Sequence, residues 1–157
     1  MRISLKRVGA SELDGVKQLI YDAFTVEPWF DDWSDSEQFR RYILDLACAR
    51  NSLSIAGYDE DGALVAASLG RVVHWYEGTQ YWIDDFAVAP GAQRRGVGSA
   101  FMSALGDYLI TRGITGVGLL TDRNIPADFF YRKNGFREVP NRILMTKELK
   151  SREPDDK

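Results

Sequence analysis

The amino-acid sequence predicts a mixed α/β fold, in which one sheet of about seven strands packs against four helices. Short runs rich in β-branched and aromatic residues predict the strands, and longer runs with apolar residues at steps of three and four predict the helices. The chain has 157 residues, 45% of them hydrophobic and 27% charged. That size and composition are typical of one globular domain.

The first half of the chain predicts a strand, two helices and a hairpin. Residues 2–8 alternate as a half-buried strand does, and SELDGVKQLIYDAF, with Ser11 as its cap, has the apolar spacing of a helix. A second helix is predicted in EQFRRYILDLACAR, where Cys48 is expected to be a small buried hydrophobe. The turn at 59–62 joins two β runs, 53–58 and 63–76, into a predicted hairpin.

The second half predicts a central strand and then alternating elements. TQYWIDDFAVAP has apolar residues at both odd and even positions, which face opposite sides of a sheet, and it ends at Pro90. This pattern predicts a strand that is buried on both faces. A helix over 99–111, a strand over 116–121, a short helix in PADFFYRKNG and final strands in FREVP and RILMTKEL follow. Residues 150–157 have no apolar anchor and are expected to form a flexible tail.

Composition and charge exclude several classes of function. The net charge of -3 provides no basic surface for nucleic acid or an anionic membrane, and no run approaches the ~20 apolar residues of a membrane span. Cys48 and His74 are the only residues of their types, so we expect no disulfide and no metal site. These features predict a cytoplasmic protein that binds neither nucleic acid nor membrane.

The segment VAPGAQRRGVGSA at 88–100 carries the clearest chemical signal. Gly96 and Gly98 remove side chains where the backbone N–H groups of a helix N-terminus point outward, and Arg94 and Arg95 add positive charge. The pattern predicts a pyrophosphate cradle; the alternative is a glycine turn that lets helix and strand pack closely. A P-loop lysine is missing before Ser99, and a dinucleotide fingerprint would need glycine at Phe101.

Two blocks of this sequence resemble the GNAT superfamily of N-acyltransferases. Gln93-x-x-Gly96-x-Gly98 follows the strand IDDFAVAP, and Asn124, Ala127, Tyr131 and Gly135-Phe136 recur at the spacing of that family. The resemblance implies one GNAT-like domain over residues 1–149 with a mostly antiparallel sheet. It also implies that the strands at 81–89 and 116–121 splay apart to admit acetyl-CoA.

The resemblance further implies which residues bind acetyl-CoA. Backbone N–H groups of residues 94–99 would hold the pyrophosphate, main-chain groups of Phe86 and Val88 would pair with the pantetheine arm, and Asn124 would bond to the same arm. Tyr131 would face the thioester sulfur as general acid. The expected cofactor residues are Phe86, Ala87, Val88, Gln93, Arg94, Arg95, Gly96, Val97, Gly98, Ser99, Asn124, Ala127 and Tyr131.

Two adjacent carboxylates are candidates for the general base. An amine with a pKa near ~10 must lose a proton before it attacks a thioester. Asp84 and Asp85 begin the buried part of the central strand, and Asp84 is preferred because its position matches the acidic residue that several family members use. The alternatives are that one aspartate lies at a strand bulge, that the other forms an ion pair, and that water relays the proton.

The segment EPWFDDWSD joins the first two helices, where the resemblance places the acceptor site. Trp29, Phe30, Asp31, Asp32 and Trp33 would form an aromatic and acidic wall for a cationic amine. Alternatively, the aromatic rings dock this loop on the core, while Asp35 and Glu37 favour the N-terminus of the next helix.

The leading hypothesis is an acetyl-CoA-dependent N-acetyltransferase that transfers the acetyl group directly to a small-molecule or peptide amine in a ternary complex. The alternative is a non-catalytic module that binds or senses acyl-CoA. Homodimers are common in the family and are therefore one expectation for this chain.

Overall fold

The computed structural model describes residues 1–149, which hold five strands and four α-helices. In chain order they are β1 (Ser4–Arg7), α1 (Ala10–Phe24), α2 (Ser36–Cys48), β2 (Ile55–Tyr58), β3 (Leu64–Trp75), β4 (Gly78–Val88), α3 (Val97–Thr111), β5 (Gly116–Leu119) and α4 (Pro126–Lys133). A single turn of 3-10 helix, Pro90–Ala92, links β4 to the loop before α3.

The five strands form one mixed sheet in the order β1-β2-β3-β4-β5. The first three pairings are antiparallel, and β4 pairs with β5 in parallel. This last pairing ends at Ile83 and Leu119, although β4 continues to Val88. The predicted mixed α/β sheet and its splay beside the central strand are therefore confirmed.

Helices cover both faces of the sheet. On one face, α3 buries Phe101, Leu105 and Leu109 against a cluster that includes Ile55 and Tyr81. On the other face, α1 and α2 bury Val16, Ile20 and Ile43 against Ala67 and Leu69 of β3. The buried positions of each helix recur at steps of three and four, which is why the sequence pattern locates these helices correctly.

The two predicted final strands are wrong, so the described sheet has five strands rather than about seven. FREVP and RILMTKEL contain no strand, and Ile143, Leu144, Met145 and Leu149 are 73 to 83% exposed. Alternating apolar residues favour the extended backbone of a strand. A strand also needs a partner strand for its hydrogen bonds, and the local sequence pattern does not show whether one is available. The predicted tail, 150–157, lies outside the described residues.

Two local expectations also need correction. Gly9 rather than Ser11 is the N-cap of α1, and its N–H donates to Glu12 Oε2 at 3.0 Å. Cys48 is exposed rather than buried. It follows the buried Ile43 by five residues, which places it about 140° around the helix from that side chain. Across residues 1–149, the helices all fall short of the length and apolarity that crossing a membrane requires.

Candidate active site

The loop after β4 leads into an uncapped N-terminus of α3. Gly96 is the N-cap, has φ +83°, and has no side chain to bond to the first N–H groups of the helix. A Cβ built at Gly96 would meet nothing within 4 Å, so the space beside this turn is open. Val97 buries its side chain, and Arg94 and Arg95 are exposed. These N–H groups and guanidinium groups suit a phosphate.

The second glycine of this turn has a different role. A Cβ at Gly98 would lie 3.0 Å from Phe130 Cε2 and 3.3 Å from Val88 Cγ2. Gly98 therefore allows α3 to pack closely against β4 and α4, which is the alternative that the sequence left open. Gln93 also has a structural contact, because its Nε2 donates to the carbonyl oxygen of Val88 at 3.1 Å.

A β-bulge in β4 separates the roles of the two aspartates. Leu69 of β3 pairs with Asp85 and Gly70 pairs with Ile83, so Asp84 is the extra residue. Asp84 accepts a hydrogen bond from Arg71 Nη1 at 3.0 Å. Burial raises the pKa of Asp84, and the Arg71 charge opposes that rise. The bulge and the ion pair that the sequence offered as alternatives thus both occur at Asp84.

Asp85 lies in a more enclosed environment. Tyr42 of α2 donates its hydroxyl proton to Asp85 Oδ2 at 2.8 Å. Burial is the largest cause that raises the pKa of Asp85 to about 6; the Tyr42 hydrogen bond opposes it, and the charges of Asp84 and Asp31 add to it. A carboxylate with this pKa is ionised at neutral pH and still basic enough to accept a proton.

Tyr131 of α4 lies among aromatic rings at the splay. Its ring packs against Phe86, Phe130 and Phe136, with centroids 5.2 to 6.3 Å apart. Burial, and secondly the Asp85 charge, raise the pKa of Tyr131 to about 12, so the hydroxyl stays protonated at neutral pH. Tyr131 lines a cavity of about 470 Å³ beside β5, together with Trp82 and Gly118.

Asn124 lies two residues before α4, and Ala127 lies within it. Asn124 has φ +62°, a conformation that asparagine adopts more readily than most residues, and its N–H donates to Asp128 Oδ2 at 3.0 Å. Ala127 lies in the first turn of the helix. Thus the fold brings Tyr131 of α4 close to the stretch of chain that holds Asp84, Asp85 and the loop at 93–99.

The profile of the Acetyltransferase (GNAT) family matches residues 14–136. The chain belongs to the GNAT acetyltransferase family. A curated relative, the mycothiol acetyltransferase of Clavibacter michiganensis subsp. michiganensis (strain NCPPB 382), is 31% identical over 121 residues. The match covers 75% of this chain but only 31% of that relative, so this GNAT chain spans about a third of the relative's length.

Solved structures share the same fold at low sequence identity. An aminoglycoside acetyltransferase from an uncultured soil metagenomic sample, in complex with sisomicin, has a TM-score of 0.72 at 22% identity, covering 94% of this chain and 97% of that one. A possible acetyltransferase from Clostridium difficile 630 has a TM-score of 0.77 at 16% identity, with coverages of 95% and 99%. AAC(6')-Iy in complex with a CoA bisubstrate analogue has a TM-score of 0.69 at 15% identity, with coverages of 95% and 100%.

In the loop between α1 and α2 of this GNAT domain, only some of the residues predicted to form a wall for the acceptor are open to a ligand. The ring of Trp29 packs on Phe24 at 5.6 Å, and the ring of Trp33 stacks on Tyr42 at 5.0 Å. Asp32 accepts a hydrogen bond from the Ser34 N–H at 3.0 Å, and Asp35 caps α2. Docking on the core therefore accounts for both tryptophans.

Two other residues of this loop are not accounted for by docking. Phe30 remains 68% exposed, and Asp31 is close enough to raise the pKa of Asp85.

Tyr42 is a site residue that the sequence analysis did not single out within the second predicted helix. The Trp33 ring holds it from one side, at an interplanar angle of 24°. Burial and the Asp85 charge raise the pKa of Tyr42 above its ordinary value, so it remains a donor. A signal was present, since a buried tyrosine hydroxyl usually needs a polar partner. The partner was not identifiable, because Asp85 lies 43 residues away.

Replacing Tyr42 by phenylalanine is expected to raise the pKa of Asp85. The substitution removes a hydrogen bond that favours the carboxylate, and such bonds to charged groups are worth about one to two pH units. Titration of the Asp85 carboxyl carbon by NMR measures the change. Tyr21→Phe is the matched control, because Tyr21 lies on α1 and packs on Phe39. An unchanged Asp85 pKa in Tyr42→Phe would show that the hydrogen bond has no influence on the site.

No group of three or more His, Cys, Asp or Glu residues within 1–149 is arranged to hold a metal ion.

Proposed function

We propose that this GNAT family member transfers an acetyl group from acetyl-CoA directly to an amine. One observation carries the proposal: Asp85, a half-buried carboxylate with a pKa of about 6, is close enough to raise the pKa of Tyr131, whose hydroxyl stays protonated, at the place where β4 and β5 diverge. Acetyl transfer to an amine needs one group that accepts a proton and one that donates a proton. The names of the relatives, a mycothiol and an aminoglycoside acetyltransferase, support an amine acceptor.

The residues around the splay fit coenzyme A. Gly96 leaves the N-terminus of α3 open, and Arg94 and Arg95 supply positive charge beside it. Beyond Ile83, β4 has no partner strand on its β5 side within residues 1–149, so its main chain is available to an extended arm. The AAC(6')-Iy complex with a CoA bisubstrate analogue supports this cofactor. When bound, acetyl-CoA supplies the thioester carbonyl that the amine attacks.

Within this site, Asp85 is our choice of base, in place of the Asp84 that the sequence favoured. Asp85 accepts the proton that the acceptor ammonium must lose, while Tyr42 orients its carboxylate. Asp84 is already engaged by Arg71. Tyr131 donates its hydroxyl proton toward the departing sulfur and regains a proton from the acylated nitrogen. The net result is one new C–N bond, one broken C–S bond and one proton released, with no covalent enzyme intermediate.

A thiol-release assay tests the proposed reaction. Acetyl-CoA is incubated with the protein and a panel of small amines and peptides, and free thiol is followed over time. Release that depends on both protein and amine, with the acetylated amine detected by mass spectrometry, is the expected result. Binding of acetyl-CoA without amine-dependent release would instead identify a non-catalytic acyl-CoA-binding module.

Replacing Gly96 by alanine is expected to weaken acetyl-CoA binding about tenfold or more. The added methyl group strains a φ of +83° by roughly 1–2 kcal/mol and projects into the open space beside the first N–H groups of α3. Calorimetry with acetyl-CoA measures the affinity. Gly113→Ala is the matched control, since Gly113 follows the other end of α3 with φ +73° and equally open space. Equal loss of affinity in both variants would mean that strain, and not a phosphate cradle, causes the change.

A further inference from the structure

We infer that a groove on the β3–β4 face binds the acceptor, and that this acceptor is an amine that also carries an anionic group. This inference rests on the proposed acetyl transfer and names the class of its substrate. The groove has a volume of about 280 Å³ and is lined by Arg71, Val73, Trp75, Gln80, Trp82 and Arg142. Its volume is just below the roughly 300–1,000 Å³ of sites for drug-sized ligands, so a compact amine fits it.

The groove opens next to the reacting groups. Arg71 donates a hydrogen bond to Asp84 at 3.0 Å, so one wall of the groove directly contacts the aspartate that precedes Asp85. Trp82, Gln80 and Arg142 also line the larger cavity that contains Tyr131. A molecule in the groove therefore borders the cavity of Tyr131 and lies beside the Arg71–Asp84 pair, next to Asp85 along β4.

Two tryptophans give the groove flat apolar walls. Trp75 is 47% exposed, so part of its indole is open to a ligand. The Trp82 indole lies over Gly118, where an added Cβ would be 3.1 Å from the ring. Trp82 Nε1 donates to Gln80 Oε1 at 3.3 Å, which leaves the amide NH₂ of Gln80 free to donate to a ligand. The groove thus favours a ligand with an apolar or planar body.

The charges of the groove select an anion. Its six lining residues include two arginines and no carboxylate. Arg71 uses one Nη in its bond to Asp84, whereas Arg142 has no ion pair among residues 1–149. A guanidinium group binds carboxylate or phosphate through paired N–H donors. An amine at Asp85 and an anion at Arg142 therefore fit one acceptor, whereas a polycation would meet two positive groups.

This assignment differs from the predicted cationic acceptor at residues 29–33. The rings of Trp29 and Trp33 are occupied by packing on Phe24 and Tyr42. The groove residues escaped the sequence analysis because they come from β3, β4 and the segment after α4, which only the folded chain brings together.

Matched amine pairs test the inference. Phenylalanine is compared with 2-phenylethylamine, and phosphoethanolamine with ethanolamine, by thiol release and by calorimetry in the presence of coenzyme A. We expect at least one member with an anionic group to be preferred about tenfold or more over its partner without that group, and the preferred pair identifies carboxylate or phosphate. Arg142→Gln is expected to raise the KM of the amine with the anionic group about tenfold and to leave the KM of the amine without it unchanged. Arg50→Gln, at an exposed arginine outside the groove, is the control.

The outcomes separate this inference from the proposed function. Equal use of both members of each pair, or equal losses for both in Arg142→Gln, would overturn the anion site while acetyl transfer stands. Preferred binding of the anionic member without thiol release from any amine would support the groove and overturn the proposed reaction. Arg142→Glu provides a further check, because reversal of the charge should shift the preference toward the amine without the anionic group.

Discussion

Replacing Asp85 by asparagine is expected to lower kcat/KM by about 10²- to 10⁴-fold and to make the protein more stable at pH 8. The activity falls because asparagine cannot accept the ammonium proton, and general-base catalysis is typically worth that factor. Thiol release with a reactive amine measures the loss. In the wild type, kcat/KM should also fall as the pH drops below about 6, where Asp85 becomes protonated.

The gain in stability follows from the same carboxyl group. Burial raises the pKa of Asp85 from 3.8 to about 6 in the folded protein. A raised pKa contributes stability that is fully present below about 3.8 and is lost as the pH rises through about 6. At pH 8 the ionised Asp85 therefore costs stability on the order of 2–3 kcal/mol, which asparagine avoids. Thermal unfolding should show a Tm several degrees higher for Asp85→Asn at pH 8, and little difference near pH 3.5.

Asp84→Asn is the matched control for this prediction. Asp84 is paired with Arg71, so its loss is expected to reduce activity less than the loss of Asp85. A larger loss in Asp84→Asn, with near-normal activity in Asp85→Asn, would return the role of base to Asp84.

Replacing Tyr131 by phenylalanine is expected to lower kcat by roughly 10²-fold, with little change in the KM for acetyl-CoA or in Tm. The three surrounding phenylalanine rings contact the ring of Tyr131, so phenylalanine fills the same space. Only the hydroxyl is lost, and its interaction develops mainly as the thiolate departs. Because its pKa is raised to about 12, the hydroxyl remains a proton donor throughout the assay range.

Steady-state kinetics and thermal unfolding check the Tyr131 prediction together. Tyr21→Phe serves as the control, since Tyr21 lies on α1 outside the cavity. Wild-type kcat in Tyr131→Phe would make this tyrosine a packing residue, and the proton would then come from water. A lower Tm with unchanged kcat would support the same conclusion.

The sequence pattern predicted those features that neighbouring residues determine, such as the buried face of a helix and the end of a strand. The helical spacing of Phe101, Leu105 and Leu109 fixes which face of α3 is buried, and Pro90 ends β4. The glycine loop was predicted as a phosphate-binding turn, but the sequence did not show that its two glycines have different roles. Gly96 lies in open space and Gly98 lies against Phe130, and that contact depends on where α4 packs.

Tertiary contacts account for what the sequence did not provide. The Tyr42–Asp85 hydrogen bond and the Arg71–Asp84 ion pair join separate elements, so no spacing rule predicts them. The sequence of the aromatic loop at 29–33 was equally compatible with packing on the core and with contact to a ligand. Only the position of α2 in the folded chain shows that Trp33 stacks on Tyr42. The residues of RILMTKEL favour a β-strand, but the availability of a partner strand depends on the whole fold.

The bulge at Asp84 also constrains how this chain tolerates changes in length. Because Asp84 is the extra residue, deleting it alone would restore strict alternation and keep Tyr81 on the same face of the strand as Phe86. If Ile83 were lost while the bulge stayed, Tyr81 would instead leave the core and Trp82 would enter it. Deletion of Asp84 is thus expected to leave the protein folded without the Arg71 ion pair. Removal of two residues at the hairpin tip, 76–77, keeps every later side chain on its own face and identifies that tip as the place where the strands can shorten.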